Sequence, residues 1–502
     1  MKKLLLTLCM LTALPGVVAV HAQRFDAVER RNPWNGGVNR AGLRSDTLSL
    51  SYAEAWASKQ NGALTSHSQS DDSFAAGVKT ESIRHLKRVS FAGRFDYSYF
   101  DGRNMCGSMF MQPGFYPMDI YEFTPGRKIR ENYAFTGALS ADLAAEWRGG
   151  LWVDFAAGNY AKRKDLRHKN TRLDFAVAPG VQWHRGDWAV GAAYLFVKNS
   201  ERVEASEIGS TPLSYEAFFD KGLYYGEQSL WTGNGIHLTE AGINAFPVRE
   251  TMHGASVQLQ WRMLFAEAEY RREKGDTGEK GTTWHEFDGD RFAARVTASL
   301  AGGKSMHYLR WSLVWRGREN REQILQHETV GGVTNTVGYG SVPVYAERSV
   351  RTGIEYEWAC GASNLRAGAE YLLQRQQSSL LYPLLREQRL HTWRAKAEGL
   401  WSLGRMELSA GIFCSWGDWS AEERAEAGPE PDSAYPLRLD EYAEWDNEYR
   451  TATRAGASLG VRVRIVKGFY ADLSARYEHG FGLHRVPQPN RVEAILSLGY
   501  RW

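Results

Sequence analysis

Residues 491–502 read Arg491-Val492-Glu493-Ala494-Ile495-Leu496-Ser497-Leu498-Gly499-Tyr500-Arg501-Trp502. Successive side chains of an extended strand point to opposite faces. Val492, Ala494, Leu496, Leu498, Tyr500 and Trp502 therefore share one face, wholly apolar and closed by an aromatic residue. The other face carries Arg491, Glu493, Ser497 and Arg501. A stretch this long exceeds an ordinary sandwich strand and matches a tilted strand crossing a bilayer, which takes about 9–11 residues.

The pattern recurs upstream, with the apolar face free of charge. Phe469, Ala471, Leu473, Ala475 and Tyr477 oppose Asp472, Ser474 and Arg476. Ala455, Ala457, Leu459, Val461, Val463 and Ile465 oppose Ser458, Gly460, Arg462 and Arg464. Val350, Ile354, Tyr356 and Trp358 oppose Arg351, Gly353, Glu355 and Glu357. In lipid every backbone polar group must be paired within the protein, so strands of this kind require a closed barrel.

About 18 such segments follow one another, centred near residues 51, 78, 93, 140, 155, 177, 192, 256, 268, 295, 311, 352, 367, 396, 410, 459, 473 and 496. Sixteen is the alternative count, because the segment near 51 puts Glu54 on its lipid parity and 73–82 alternates poorly. Short turns are expected at 148–150, 184–187, 302–304, 361–363, 403–405 and 467–468. Long connections alternate with them, at 58–72, 100–129, 162–170, 199–249, 273–288, 318–345, 377–387, 418–450 and 480–489. That asymmetry is the periplasmic and extracellular signature of an all-β, antiparallel outer-membrane barrel.

Composition fits this reading. The chain has 502 residues, 43% hydrophobic and 24% charged, and no apolar run beyond residue 22 is long enough for a membrane-crossing helix. Its 18 Trp, 24 Tyr and 21 Phe exclude a disordered chain. The tryptophans sit at strand ends. Trp147, Trp183, Trp261, Trp358, Trp401 and Trp502 are expected to end even-numbered strands on the outward parity, at one lipid interface. Trp56, Tyr99, Phe196, Tyr270, Trp315, Tyr371, Trp416 and Tyr477 fall at the far ends of odd-numbered strands. Two such rings form aromatic girdles, where an amphipathic ring meets both lipid and water.

Residues 1–22 have a basic start at Lys2-Lys3, an apolar core and small residues at Val20-His21-Ala22, a signal peptide cut after Ala22. Its loss lowers the formal charge from +3 to about +1, which implies no nucleic-acid partner. Cys106, Cys360 and Cys414 are odd in number and widely spaced, which argues against a disulfide framework. Residues 23–45 lack alternation and either fold into the barrel as a small plug or hang in the periplasm. Residues 46–502 form the barrel.

The inward parity carries Arg94, Arg295, Arg310, Arg351, Arg394, Arg462 and Arg464 beside Glu355, Glu398 and other charged residues of both signs. It lines either a polar conduit or a lumen cross-braced by ion pairs, and the balance of signs favours bracing over a selective anion pore. Phe110, Phe115 and Tyr116, with Tyr224 and Trp231, make the loops 100–129 and 199–249 too apolar to lie bare in water, so they are expected to cap the mouth. The loop 162–170 is basic and 418–450 acidic, and the two can pair with each other.

Catalytic motifs fail. Gly456-Ala457-Ser458-Leu459-Gly460 matches a nucleophile elbow but sits mid-strand, where that motif needs a strand-to-helix turn. The loop histidines His237, His253 and His327 are not grouped, and no ligand-spaced pair implies a metal or other cofactor.

Five stretches carry a family resemblance: Arg31-Asn32-Pro33-Trp34-Asn35-Gly36, Cys106-Gly107-Ser108-Met109-Phe110, Pro113-Gly114-Phe115-Tyr116-Pro117, residues 159–168 and Asp220-Lys221-Gly222-Leu223. The chain resembles an outer-membrane β-barrel family known only as a domain of unknown function. The resemblance spans essentially the whole mature chain. It implies the barrel and the compartment, and brings no catalytic residue, cofactor or substrate.

The expectation is a non-enzymatic outer-membrane barrel that passes or binds a solute. The alternative is a closed-lumen surface component that docks a partner protein through its external loops. Outer-membrane lipid is the expected surroundings, and the strand ending in Trp502 is expected to engage the barrel-assembly machinery.

Overall fold

The computed structural model describes residues 30–45, 48–164, 166–206, 215–231, 245–279, 282–330, 333–379, 385–424 and 439–502. The expected signal peptide at 1–22 and residues 23–29 of the segment after it therefore lie outside the described residues. The strands are β1 (Leu50–Asn61), β2 (Asp72–His85), β3 (Val89–Ser108), β4 (Asp119–Asp142), β5 (Trp147–Lys162), β6 (Arg167–Arg185) and β7 (Trp188–Ser206). A hairpin of β8 (Tyr215–Gly222) and β9 (Tyr225–Trp231) follows. Then come β10 (Phe246–Trp261), β11 (Leu264–Glu279), β12 (Thr282–Gly302), β13 (Ser305–Val330) and β14 (Val333–Cys360). β15 (Ser363–Ser379), β16 (Leu385–Leu403) and β17 (Met406–Arg424) lead to helix α1 (Leu439–Thr451). The chain ends with β18 (Thr453–Val466), β19 (Phe469–Phe481) and β20 (Asn490–Arg501).

Each barrel strand pairs antiparallel with its sequence neighbours, and β7 pairs directly with β10, passing over the β8–β9 hairpin. β1 pairs with β20, Ala57 opposite Leu496, so the sheet closes into a barrel of 18 strands with no free edge. All 18 expected segment centres fall inside these strands. The hairpin lies apart from the wall and pairs with the start of β4, Ile120 opposite Phe219.

The outer face is apolar where a soluble protein would be polar. Phe91, Phe135, Leu151, Val257, Ile354, Leu459 and Leu496 are all exposed, as the parity assignment requires. At the short-turn end, two-residue turns such as Gly361-Ala362 and Gly404-Arg405 place glycine at φ 59 and φ 64, a conformation that carries no penalty for glycine.

Several expectations are corrected. The turn placed at 148–150 is residues 143–146, so Trp147 begins β5 instead of ending β4. Glu54 and Trp56 face the lumen: Glu54 accepts from the Tyr470 hydroxyl at 2.8 Å, and Trp56 lies against Gly77. The outward positions of β1 are alanines, which give too weak an alternation to fix parity. Long stretches read as loops, 318–345 above all, are strand: β13 and β14 run 26 and 28 residues. Beyond the bilayer neither face of a strand meets lipid, so the apolar alternation stops while the backbone pairing continues.

Candidate functional site

The lumen is occupied at its short-turn end by residues 30–45. Asn32 caps a 3-10 turn over Pro33–Gly36 by accepting from the Trp34 N–H at 3.1 Å, and Pro33 opens the turn with its φ already set. The turn drives Trp34 into the wall, where it is 1% exposed, edge-on to Phe265 at 5.3 Å, its indole N–H on Gln260 at 2.5 Å. Asn39 donates to Gln258 at 2.8 Å and to the Val181 carbonyl at 3.0 Å. Gly36 and Gly37 come so close to Arg295 and Glu267 that a Cβ on either would sit 2.5 Å from a side-chain atom. Trp34, Val38 and Leu43 each belong to a separate apolar cluster on the inner wall.

The inward charges are largely paired. Arg310 meets Glu355 at 3.2 Å and Glu357 at 2.8 Å, and donates to the Arg30 carbonyl at 3.3 Å. Arg295 pairs with Glu267 and donates to the Pro33 carbonyl at 2.8 Å. Arg462 meets Asp472 at 2.9 Å, Arg464 meets Glu407 at 3.2 Å, Arg351 meets Glu370 at 3.8 Å, and Glu398 receives Arg366 at 2.5 Å. Arg94 pairs with Glu81. Arg394 differs: its described partner is the Phe413 ring, 5.0 Å away.

At the long-loop end the mouth is filled. Met109, Phe110, Tyr116 and Ile120 pack with Phe219 of the hairpin and with Phe246, Trp284 and Phe287 of the wall in one buried cluster, with Phe115 against it. Arg318 holds the loop tip through the carbonyls of Phe115 at 2.7 Å and Gly114 at 3.2 Å, and Arg172 lies 4.2 Å from the Phe115 ring centre. Glu122 takes Lys128 at 3.0 Å on one oxygen and Lys162 on the other, all three buried. The hairpin crosses the lumen: Lys221 reaches Glu322 at 2.7 Å, and the Leu223 carbonyl accepts from Arg386 at 3.0 Å. Its turn residues Leu223 and Tyr224 have φ 55 and φ 60, left-handed values that cost a non-glycine residue about 1–2 kcal/mol each. Trp231 falls at the end of β9.

Helix α1 supplies a third part of the closure that the sequence did not reveal. Asp446 accepts from the Tyr224 hydroxyl at 2.7 Å and faces His67 Nδ1 at 2.9 Å, while Ser68 Oγ lies 3.2 Å from His67 Nε2. That is the order of a Ser-His-Asp relay, but His67 has 1% of its side chain exposed and is ringed by Tyr121, Tyr224, Tyr442 and Trp445. The imidazole is closed off, while Ser68 and Asp446 also line the large cavity of the lumen, and the three groups link the β1–β2 loop, the hairpin and α1 as a latch. The acidic loop otherwise bonds Asp440 to Arg386 at 2.7 Å and Glu444 to Arg485 at 2.5 Å. Ser458 lies inside β18 with no helix after it, and His253 bonds the Tyr194 hydroxyl at 2.6 Å; His237 lies outside the described residues.

The latch region has a pH dependence whose sign follows from its carboxyls. Burial pushes Asp220 up to about 7 against the N–H groups of Gly222 and Tyr224, and burial likewise raises Asp119 well above the usual range. Burial works to raise Asp446 too, but His67 and the Tyr224 hydroxyl outweigh it and hold the carboxyl below its ordinary 3.8. A raised carboxyl weakens the folded state as pH climbs from its unfolded value towards its folded one. A depressed carboxyl weakens it as pH falls through its folded value. These carboxyls should therefore favour the cap near pH 4 and oppose it as pH rises to about 7, against the buried His168 and His285, whose imidazoles burial holds below their ordinary range and which act the other way. Hydrogen exchange of cap amides across this range checks it. Asp220→Asn should flatten the arm above pH 4 and Asp446→Asn the arm below it, and an exchange profile indifferent to both would refute the assignment.

Against the cap a cavity of about 740 Å³ remains, lined by Tyr116, Tyr224, Asp119 and Asp220 of the cap and by Arg316, Arg318 and Glu347 of the wall. A second, of about 400 Å³, shares Tyr449, Arg450 and Arg491 with it. The described residues contain no cluster of His, Cys, Asp and Glu suited to a metal ion, and their three cysteines are free.

A model described as a family of unknown function (DUF6850) matches residues 40–501. No curated protein matches the chain. Solved structures that resemble it include BauA, the ferric preacinetobactin receptor from Acinetobacter baumannii. It is 7% identical with a TM-score of 0.40, over 91% of this chain and 80% of that one. A mutant of the ferric enterobactin receptor PfeA from Pseudomonas aeruginosa is 10% identical with a TM-score of 0.41, over 91% and 81%. The ferric citrate transporter FecA in its unliganded form is 8% identical with a TM-score of 0.38, over 90% and 78%.

Proposed function

The chain belongs to the family of unknown function DUF6850, and from its own geometry we propose that it is an outer-membrane barrel that takes up a solute through a lumen gated at both ends. One observation carries this reading. The wall encloses polar cavities, while residues 30–45 are attached to it through side chains and the hairpin of the cap is backbone-paired only at its contact with the start of β4. A wall of paired strands is permanent, and a segment held by side chains can leave.

The exposed apolar belt supports a bilayer around the barrel, with the short turns in the periplasm and the long connections outside. Trp147, Trp261 and Trp502 at the short-turn end, all exposed, and Tyr270, Trp393 and Trp416 at the other are the interfacial rings of that belt. Export through a signal peptide at residues 1–22, and insertion led by the strand ending in Trp502, complete the reading. No catalytic role is assigned.

Planar-bilayer conductance tests the gate. The intact protein should be closed, and a variant lacking both residues 30–45 and the hairpin 215–231 should show steps of current; its folding is checked by heat-modifiable gel mobility. A folded variant that stays closed would overturn uptake and leave the closed docking barrel.

A further inference from the structure

Along most of the lumen each guanidinium faces a carboxylate, but between β15 and β20 the balance breaks. The 400 Å³ cavity is lined by five arginines, Arg394, Arg450, Arg454, Arg476 and Arg491, and by two carboxylates, Glu478 and Glu493. Glu478 serves two of them, Arg454 at 3.2 Å and Arg476 at 3.7 Å. Arg450 and Arg491 bond the neutral amides of Gln374 and Gln60. Arg394 and Arg476 each lie 5.0 Å from the centre of the Phe413 ring, and no carboxylate is within ion-pair distance of Arg394 among the described residues.

Arg394 and Arg476 are exposed to the water of this cavity, and a surplus of three positive charges focused in one concave site attracts anions into it. Phe413 holds the Arg394 guanidinium in place without neutralising it, which leaves its fork for two-point contact with an oxyanion, and the glutamines engage one nitrogen each of Arg450 and Arg491 without cancelling their charge. The volume lies near the lower end of small-molecule pockets, about 300–1,000 Å³. Arg450 comes from α1, so the cap contributes directly to the cavity wall.

We propose that this cavity binds a small solute carrying two or more oxyanion groups, a polycarboxylate or a polyphosphate, as the cargo of the uptake reading on which this inference rests. Citrate and inorganic pyrophosphate are the probes, titrated calorimetrically into the full mature chain in detergent at low salt, with sucrose as the neutral control.

Both probes should bind saturably and sucrose should not. Arg394→Gln and Arg476→Gln should each weaken binding at least tenfold, and Glu493→Gln, which removes an opposing charge, should strengthen it several-fold. A gain of affinity cannot come from misfolding. Arg366→Gln, whose guanidinium is braced on Glu398 outside the cavity, should change nothing. Absence of saturable binding of either probe by a folded barrel would overturn the proposal, as would binding indifferent to Arg394, Arg476 and Glu493. The gate is tested separately. A barrel that opens without residues 30–45 and the hairpin but binds neither probe loses the anion site and keeps uptake; one that binds both but never opens keeps the site and loses uptake.

Discussion

Trp34→Ala should unseat the N-terminal segment while leaving the barrel closed on itself. Trp34 is the most deeply buried large side chain of that segment, and its removal deletes the Phe265 contact, the bond to Gln260 and the surface on which Gly42 rests. Truncating a buried tryptophan costs about 3–5 kcal/mol. A segment held by three small apolar clusters and a few hydrogen bonds has little margin against such a loss, whereas the wall, paired through its backbone around the full circle, does not depend on it. Protease should then cut within residues 30–45 from the periplasmic side, and in a protein that also lacks the hairpin 215–231 current steps should appear more often than with Trp34 in place. Trp34→Phe keeps most of the packing and loses only the Gln260 bond, so it should fall between. Equal protection of all three forms would mean that the segment is not seated by this residue.

The wall was legible in the sequence because lipid imposes a rule on every second residue. Leu459, Leu496 and Ile354 had only one face available, and each is exposed on the outside of the barrel. The rule fails where lipid stops acting. It misassigned β1, whose outward alanines carry little signal, and it read the upper halves of β13 and β14 as loop. It also says nothing of contacts between distant segments. Asp446 and His67 are 379 residues apart, and Trp34 and Gln260 are 226 apart. The stretch from Arg31 to Gly37 could be seen to lack alternation, but not to fit the notch left by Gln258, Gln260 and Phe265. The basic cavity was half visible. Arg394 and Arg476 had the inward parity, while Arg450 arrives on a helix from the acidic loop and Arg454 and Arg491 sit at strand ends, where parity alone does not place a side chain over a cavity.

The second large effect distinguishes a membrane barrel from a soluble one through depth. Leu459 is 68% exposed at the middle of β18, opposite Ala410 and Ala475 in the register, while Val466 is 63% exposed at the short-turn end of the same strand. In water the two sites are equivalent, and arginine at either would change stability by a few tenths of a kcal/mol at most. In a bilayer they differ. An arginine at the midplane costs about 2–4 kcal/mol and one near the interface about 0–1, because only the latter can extend its guanidinium to water. Reversible urea unfolding in lipid vesicles should therefore place Leu459→Arg well below the parent and Val466→Arg close to it. Equal effects at both positions would remove the lipid belt, and with it the reason that so polar a chain carries so much exposed tryptophan. A graded effect assigns the belt its depth, and fixes where along each strand the lumen leaves the membrane and enters the cap.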